Sequence, residues 1–387
     1  MTELPDRGVI DADGHVLEDE DLWERYLEPQ FRDRPIRIVR DDQGWDVLEV
    51  AGKPFPYFDP GQISMMGTMG EPLPIPSPER RYAEARPFGS ADPRERVTRL
   101  DREGLDAALL YPTIGLQWEC AVPDPELDMA YHRAYNRWLA DFCRDSNGRL
   151  VPIAHLSLWD VDLAVAELHR AVEDGCRGAF VGPFTMTRVP HGHPDHDPFW
   201  AAAQELDVPV TLHPTYEAPG ITAVSRFDGF DGLLMGEPRN VWNSIVFGTQ
   251  GIKQAFASFF AFATFDRFPR LKIGVVESSA GWIGAFLDRL DTLAETPTGM
   301  ATGAKELPST YFQRQCFISA DPEERSAPLI LEHVGSQCFV WATDFPHGDH
   351  PANWREHLAR FITPLGANTR EAFLGANVRR LYGLETA

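Results

Sequence analysis

The sequence predicts an α/β chain folded as a (β/α)8 barrel with inserted lid segments, and three observations predict it. Eight short apolar runs recur along the chain, most ending in polar residues. They lack the clean apolar–polar alternation of a half-solvated sheet, as expected of parallel strands buried on both faces. Helical periodicity fills the gaps between them, and strands alternating with helices build a parallel sheet. No glycine-rich G-x-G-x-x-G follows the first run, which favours a closed barrel over a doubly wound open sheet.

The strand runs are Val9–Asp13, Leu105–Pro112, Leu150–Leu158, Gly178–Pro183, Pro209–His213, Leu271–Glu277, the weaker Gln315–Ala320, and Cys338–Asp344. Among the helices, Asp92-Pro93 marks a start, with the acid as N-cap and proline at the first helical position. In residues 124–147, Leu127, Ala130, Tyr131, Ala134, Trp138 and Phe142 recur at helical spacing, and Gly148 is the stop. Asp160 caps a helix ending near Gly175, and Asp197, followed by Pro198, caps the next. Val241–Phe265 reads as a long buried helix. Residues 280–295, 321–334 and 368–382 supply the rest.

Two stretches break the alternation, at about 30–91 and 214–240. The first holds many prolines and glycines, three methionines (Met65, Met66, Met69) and the alternating run "IRIVRDDQGWDVLEV". It reads as a small hairpin followed by a lid-like loop, the methionines packing that lid. The whole chain, 1–387, is expected to be one barrel unit.

Composition narrows the function classes. The chain has 387 residues, 43% hydrophobic, and a formal net charge of −22. Such a surface repels phosphate backbones, so neither nucleic acid nor an anionic membrane is an expected partner. No 18-residue apolar run is present. Five scattered cysteines without C-x-x-C spacing read as reduced thiols, and "MTELPDRG" is not a signal peptide, so a cytoplasmic protein is expected. The apolar stretch 241–265 and the insertions suggest an oligomer, homo- or hetero-. No G-x-S-x-G elbow supports a serine hydrolase.

The chemistry is expected where barrel strands end. In "GVIDADGH", Asp11, Asp13 and His15 lie two apart, a spacing that puts all three on one strand face. The fifth run ends in His213, the sixth in Glu277 and the eighth in Asp344, with His347 three residues on. Carboxylates and imidazoles converging on one rim call for a cation to neutralise them. Other polar residues are discounted. His191, His193 and His196 read as a loop on the same rim, His155 as a residue of the core or behind the site, and Tyr111 and Thr113 as rim residues within reach of a substrate.

The segments "VIDADGH", "PVTLHPT", "FPRLKIGVVESSAGWIGAFLDRLD", "WATDFPHGD" and "FLGANVRRLYGL" together resemble the amidohydrolase superfamily. The likeness is to its group of aminocarboxymuconate-semialdehyde and resorcylate decarboxylases, over most of the chain. The resemblance implies that His213 is the strand-five metal ligand. It also implies that Asp344 both contacts metal and moves a proton. Asp13 stands where the family usually has the first histidine of H-x-H, and an acid there suits Mn²⁺ or Fe²⁺. Glu277 stands where many relatives have a histidine. It could serve as a ligand, a bridge between metals or a general base, and His347, with Asp349 and His350 close behind, could supply what strand six lacks. The expected metal set is therefore Asp13, His15, His213, Glu277, Asp344 and His347, with Asp344, Glu277 and His347 catalytic. It would hold one or two divalent ions (Zn, Mn or Fe). The expected activity is hydrolysis or non-oxidative decarboxylation of a small organic acid or amide. A dinuclear Fe or Fe/Mn oxygenase and a catalytically silent subunit of a complex are the alternatives.

Overall fold

The computed structural model describes residues 3–72, 75–217 and 249–385. Its strands are β1 (Ile10–His15), β2 (Arg37–Arg40), β3 (Asp46–Val50), β4 (Lys53–Pro54), β5 (Ala107–Tyr111), β6 (Leu150–His155), β7 (Gly178–Val181), β8 (Val210–Leu212), β9 (Ile273–Val275), β10 (Cys316–Ala320) and β11 (Phe339–Trp341). Eight of them form one parallel sheet in the order β1-β5-β6-β7-β8-β9-β10-β11. Typical registers are Leu109 opposite Val151, Phe180 opposite Thr211, and Ile318 opposite Phe339. The seam closes through two backbone bonds past the ends of the ladder: Asp344 N–H to the Asp13 carbonyl (3.0 Å) and His15 N–H to the Phe345 carbonyl (2.7 Å). All eight predicted strands are present. Several are shorter than their apolar runs, because His213, Glu277 and Asp344 leave the ladder to form the rim.

The first strand corrects one expectation. Ile10 and Ala12 pack inside the barrel with Leu109, Tyr111, Ile153 and Phe180, so Asp11 faces the other way. There its carboxylate accepts from Thr343 N–H (2.9 Å) and Thr343 Oγ1–H (2.6 Å). The register then slips: Asp11 stands opposite Ala108 but Gly14 opposite Leu110. One extra residue on β1 makes a bulge, and the bulge reverses the alternation so that Asp13 and His15 turn into the rim. Asp11, Asp13 and His15 therefore do not share a face. Gly14 is required at the bulge, since a Cβ there would meet Arg96 Nη2 at 2.5 Å and Asp11 Oδ2 at 3.0 Å.

The helices follow their caps. Asp92 accepts from the Arg94 and Glu95 amides, and Asp160 from Leu163 N–H (3.0 Å). Asp197 is a correction. It sits inside the helix Asp197–Glu205 and its carboxylate binds Arg267 (2.8 Å) instead of capping. Where one helix was expected over 241–265, the described part holds two, Thr249–Ala261 and Thr264–Arg267, broken at Ala263 with φ 48°. Helix formation in 321–334 begins only at Ala327. The 30–91 insertion forms a three-stranded antiparallel sheet, β2-β3-β4, one strand more than the expected hairpin. Its later part does reach the rim, since Met69 N–H donates to the Pro346 carbonyl (3.1 Å). The second insertion, from 218 to 240, lies outside the described residues. Among the described residues no helix is long and apolar enough to cross a membrane.

Candidate metal centre

Four strand ends bring the donor atoms together. Asp13 and His15 come from the bulged end of β1, His213 follows β8, Glu277 follows β9 and Asp344 follows β11. His15 Nε2 lies 3.5 Å from Asp13 Oδ1, 4.0 Å from Glu277 Oε2 and 3.0 Å from Asp344 Oδ1. His213 Nε2 lies 3.5 Å from Asp13 Oδ1 and 3.1 Å from Glu277 Oε2. Donor atoms of a tetrahedral ion with bonds of about 2.0 Å stand about 3.3 Å apart, so these spacings fit a common centre.

Hydrogen bonding shows that the atoms aim at a point and not at one another. Both Asp13 oxygens, His15 Nε2, His213 Nε2, Glu277 Oε2 and Asp344 Oδ2 are buried without a hydrogen-bond partner. Buried polar atoms are rarely left so. Both imidazoles are also turned for ligation. His15 Nδ1–H donates to the Pro112 carbonyl (2.6 Å) and His213 Nδ1–H to the Pro214 carbonyl (2.7 Å). A carbonyl can only accept, so each ring must carry its proton on Nδ1 and present Nε2 inward. This is the arrangement of metal-binding histidines. The donor set of carboxylates and imidazoles suits a divalent metal ion.

Backbone strain marks the same place. Glu277 has φ 46° and Asp344 φ 56°. Residues with side chains hold this left-handed region at a cost of about 1–3 kcal/mol each, and such strain concentrates at functional sites. Ser319 Oγ accepts the Glu277 N–H (3.2 Å), which helps fix that kink.

The electrostatics are those of a cation trap. Burial pushes the Glu277 carboxyl well above its usual range, and the Asp344 charge adds to the shift. Burial alone would lower His213, but the Asp13 and Glu277 charges outweigh it and raise the imidazole to about 9. Burial would raise Asp344, but His347 and His15 outweigh it and hold that carboxyl well below the usual range.

His347 is placed differently from the other five. Its Nδ1–H donates to Asp344 Oδ1 (2.9 Å) and its Nε2 pairs with Thr113 Oγ1 (3.0 Å). Both ring nitrogens are thus engaged, and His347 stands beside the cluster, hydrogen-bonded to Asp344. His350 Nε2 comes within 3.8 Å of Asp344 Oδ2, while its Nδ1 meets Glu323 Oε1 (3.0 Å). Asp349 is exposed. The histidines of the 191–196 loop are tied into hydrogen bonds: His191 bonds the Gly182 carbonyl, His196 the Pro190 and His191 carbonyls, and His193 accepts from Asp195 N–H.

Sequence reasoning missed Glu18. Its buried carboxylate accepts the amides of Thr113 (3.1 Å), Ile114 (2.9 Å) and Gly115 (2.9 Å). It thereby fixes the loop that offers Pro112 to His15 and Thr113 to His347. No local signal distinguishes it in "HVLEDED". Thr113, read as a rim residue, hydrogen-bonds His347 there (3.0 Å).

The chain is similar to known proteins. Residues 10–384 match the family model described as amidohydrolase. A γ-resorcylate decarboxylase from a Rhizobium species is 27% identical over 304 residues, 76% of this chain and 87% of that protein. An amidohydrolase structure from Mycobacterium avium subsp. paratuberculosis superposes with TM-score 0.80 at 20% identity, covering 97% of this chain and 99% of that one. A dihydroxybenzoic acid decarboxylase from a Polaromonas species, solved with manganese and 2-nitroresorcinol, gives TM-score 0.67 at 19% identity over 98% of both chains.

Proposed function

The chain belongs to the amidohydrolase family, and from that premise we propose that it is a metal-dependent decarboxylase of small aromatic carboxylic acids. The observation that carries this reading is the Asp344–His347 pair, a hydrogen-bonded acid and imidazole beside a converging set of unpartnered donor atoms. The resorcylate and dihydroxybenzoate decarboxylases among the relatives support the substrate class.

In this reading Asp13, His15, His213 and Glu277 would hold the metal. Bound there, the ion would supply positive charge that favours an anionic substrate. Without it, Asp13, Glu277 and Asp344 would repel an organic anion. His347 passes a proton to the ionised Asp344 through the 2.9 Å Nδ1–Oδ1 contact, and Asp344 delivers it to the ring carbon that bears the carboxylate. The carbon–carbon bond then breaks, its electron pair returns to the ring, and carbon dioxide leaves. Thr113 keeps the imidazole in line. Glu277 contributes charge and a donor atom where a histidine would contribute neither negative charge nor a second oxygen.

The test is a panel of hydroxybenzoates offered to protein loaded with Mn²⁺ or Zn²⁺, with carbon dioxide release measured. Turnover is expected, and Asp344→Asn should abolish it while keeping the metal. Release of an amine or alcohol from amides or lactones, with no carbon dioxide from any aromatic acid, would overturn the assignment in favour of hydrolysis.

A further inference from the structure

We propose that a second divalent cation, zinc, is held by Glu119, Asp128, His132 and His155 in a closed pocket outside the rim site. Glu119 lies in the turn after β5, Asp128 and His132 sit one turn apart on the helix Pro125–Cys143, and His155 ends β6. All four are buried, none more than 4% exposed.

The first argument is unmet hydrogen bonding. Glu119 Oε2, both oxygens of Asp128 and both ring nitrogens of His132 and His155 have no partner. Buried polar atoms without partners are rare, and here they are gathered in one place. Outside the rim, no other such gathering of imidazoles and carboxylates occurs among the described residues.

The second argument is spacing. His132 Nε2 is 3.6 Å from Asp128 Oδ1, and His155 Nε2 is 3.8 Å from Glu119 Oε2. One donor atom each from Glu119, His132 and His155 lies within 4.8 Å of the others. Around zinc, donor atoms with bonds of about 2.0 Å stand about 3.3 Å apart, so Glu119, His132 and His155 are spaced to share an ion, and Asp128 reaches it from beside His132. The two imidazoles meet edge to face, at 4.1 Å and 83°, which lets their nitrogens converge where a stack would not.

The third argument is charge and support. Two carboxylates and two imidazoles balance a doubly charged ion, and two nitrogens with two oxygens suit zinc. Ser157 Oγ–H donates to Glu119 Oε1 (2.8 Å), which leaves Oε2 as the free donor. Burial holds the His155 imidazole well below its usual range, in the neutral form that ligates. Three converging donors with a fourth, the Asp128 carboxylate, beside them, all buried, make this a structural site and not a catalytic one. It stands apart from the rim. His155 stacks on Phe180 at 4.3 Å, and Phe180 in turn lies 5.5 Å from His213, so one aromatic ring walls the two centres from each other.

The test counts metal. Full-length protein is stripped with a chelator, reloaded with Zn²⁺, freed of excess by gel filtration and measured by elemental mass spectrometry. Two zinc ions per chain are expected in the natural sequence and one in His213→Ala. One is also expected in Glu119→Gln/His132→Gln, which keeps near-natural side-chain size. Cobalt loaded into His213→Ala should give the intense visible bands of a four-coordinate ion. One ion per chain in the natural sequence, none in His213→Ala, or two retained in Glu119→Gln/His132→Gln would each overturn the proposal. The pocket would then be one of buried waters and shared protons. The count is independent of the proposed decarboxylation.

Discussion

Asp11 and Asp13 lie two residues apart on one strand, yet the bulge between them gives them separate tasks. Asp11→Ala and Asp13→Asn should therefore fail in opposite ways. Removing the Asp11 carboxylate strands the buried Thr343 N–H and hydroxyl, which it accepts at 2.9 and 2.6 Å. At about 1–3 kcal/mol for each buried group left unsatisfied, the loss is about 2–6 kcal/mol. With an unfolding entropy of about 2.1 cal/mol/K per residue, a chain of this length loses about 2–7 °C in melting temperature. Metal binding should survive wherever the fold does. Asp13 has no hydrogen-bond partner for either oxygen, so Asp13→Asn strands no donor and costs only the attraction of its charge for the His213 imidazole 3.5 Å away. Its metal-free melting point should fall less than that of Asp11→Ala. Metal affinity should fall, because apparent binding of about 10–16 kcal/mol shared among four ligands is about 3 kcal/mol each, or about 100-fold. The assays are thermal unfolding in chelator and metal titration of stripped protein. Metal loss in Asp11→Ala with unchanged melting would refute the bulge argument. So would an Asp13→Asn protein that melts as low without metal as Asp11→Ala does.

Two further outcomes follow from the same geometry. Glu18→Ala strands the amides of Thr113, Ile114 and Gly115, a loss of about 3 kcal/mol or more, and slackens the anchors of both His15 and His347. Unchanged melting and unchanged turnover in that variant would remove Glu18 from this role. His213, raised to about 9 by Asp13 and Glu277 against its burial, is protonated at pH 7 while metal is absent. A raised folded-state value means that this proton stabilises the metal-free protein below pH 6.5, and that the contribution is lost as pH rises through about 9. Metal binding at pH 7 should therefore release about one proton from His213, and none well above pH 9. Calorimetry in buffers of differing ionisation heat measures this, and binding heats that do not vary with the buffer at pH 7 would contradict it.

What the sequence disclosed and what it hid divide along physical lines. The strands were legible because burial on both faces leaves continuous apolar runs, as in Leu105–Pro112. The rim was legible because His213, Glu277 and Asp344 each end such a run. The bulge was not, since nothing local tells Ala12-Asp13-Gly14 from an ordinary strand, and the pressure of Arg96 on Gly14 comes from a helix 81 or more residues away. Glu18 was hidden for the same reason, its partners lying 95 to 97 residues on. Asp92 and Asp197 both precede proline, yet only Asp92 caps, because Arg267 claims Asp197. Asp128, His132 and Asn136 did leave a trace, three polar residues each one turn apart on a helix whose other buried residues are mostly apolar.

Charge and lone pairs together limit what the rim can hold. Two donor groups overlap there, Asp13–His15–His213–Glu277 and His15–Glu277–Asp344–His347, and they share His15 and Glu277. An imidazole nitrogen has one lone pair, so His15 Nε2 serves one ion, and both nitrogens of His347 already have partners. The two groups therefore compete for one divalent ion, and a second would have to draw on Asp344 with the more exposed Asp349 and His350. Around that ion Asp13, Glu277 and Asp344 carry three negative charges against two positive. A proton shared by Asp344 and His347 brings the sum to zero before an anionic substrate enters. Decarboxylation of an aromatic acid consumes one proton at carbon for each carbon dioxide released, whereas hydrolysis of an amide has no such net demand at the reacting carbon. Glu277 in place of a histidine therefore favours the proposed chemistry: its negative charge makes the extra proton on the Asp344–His347 pair cheaper to hold, and that is the proton the reaction takes.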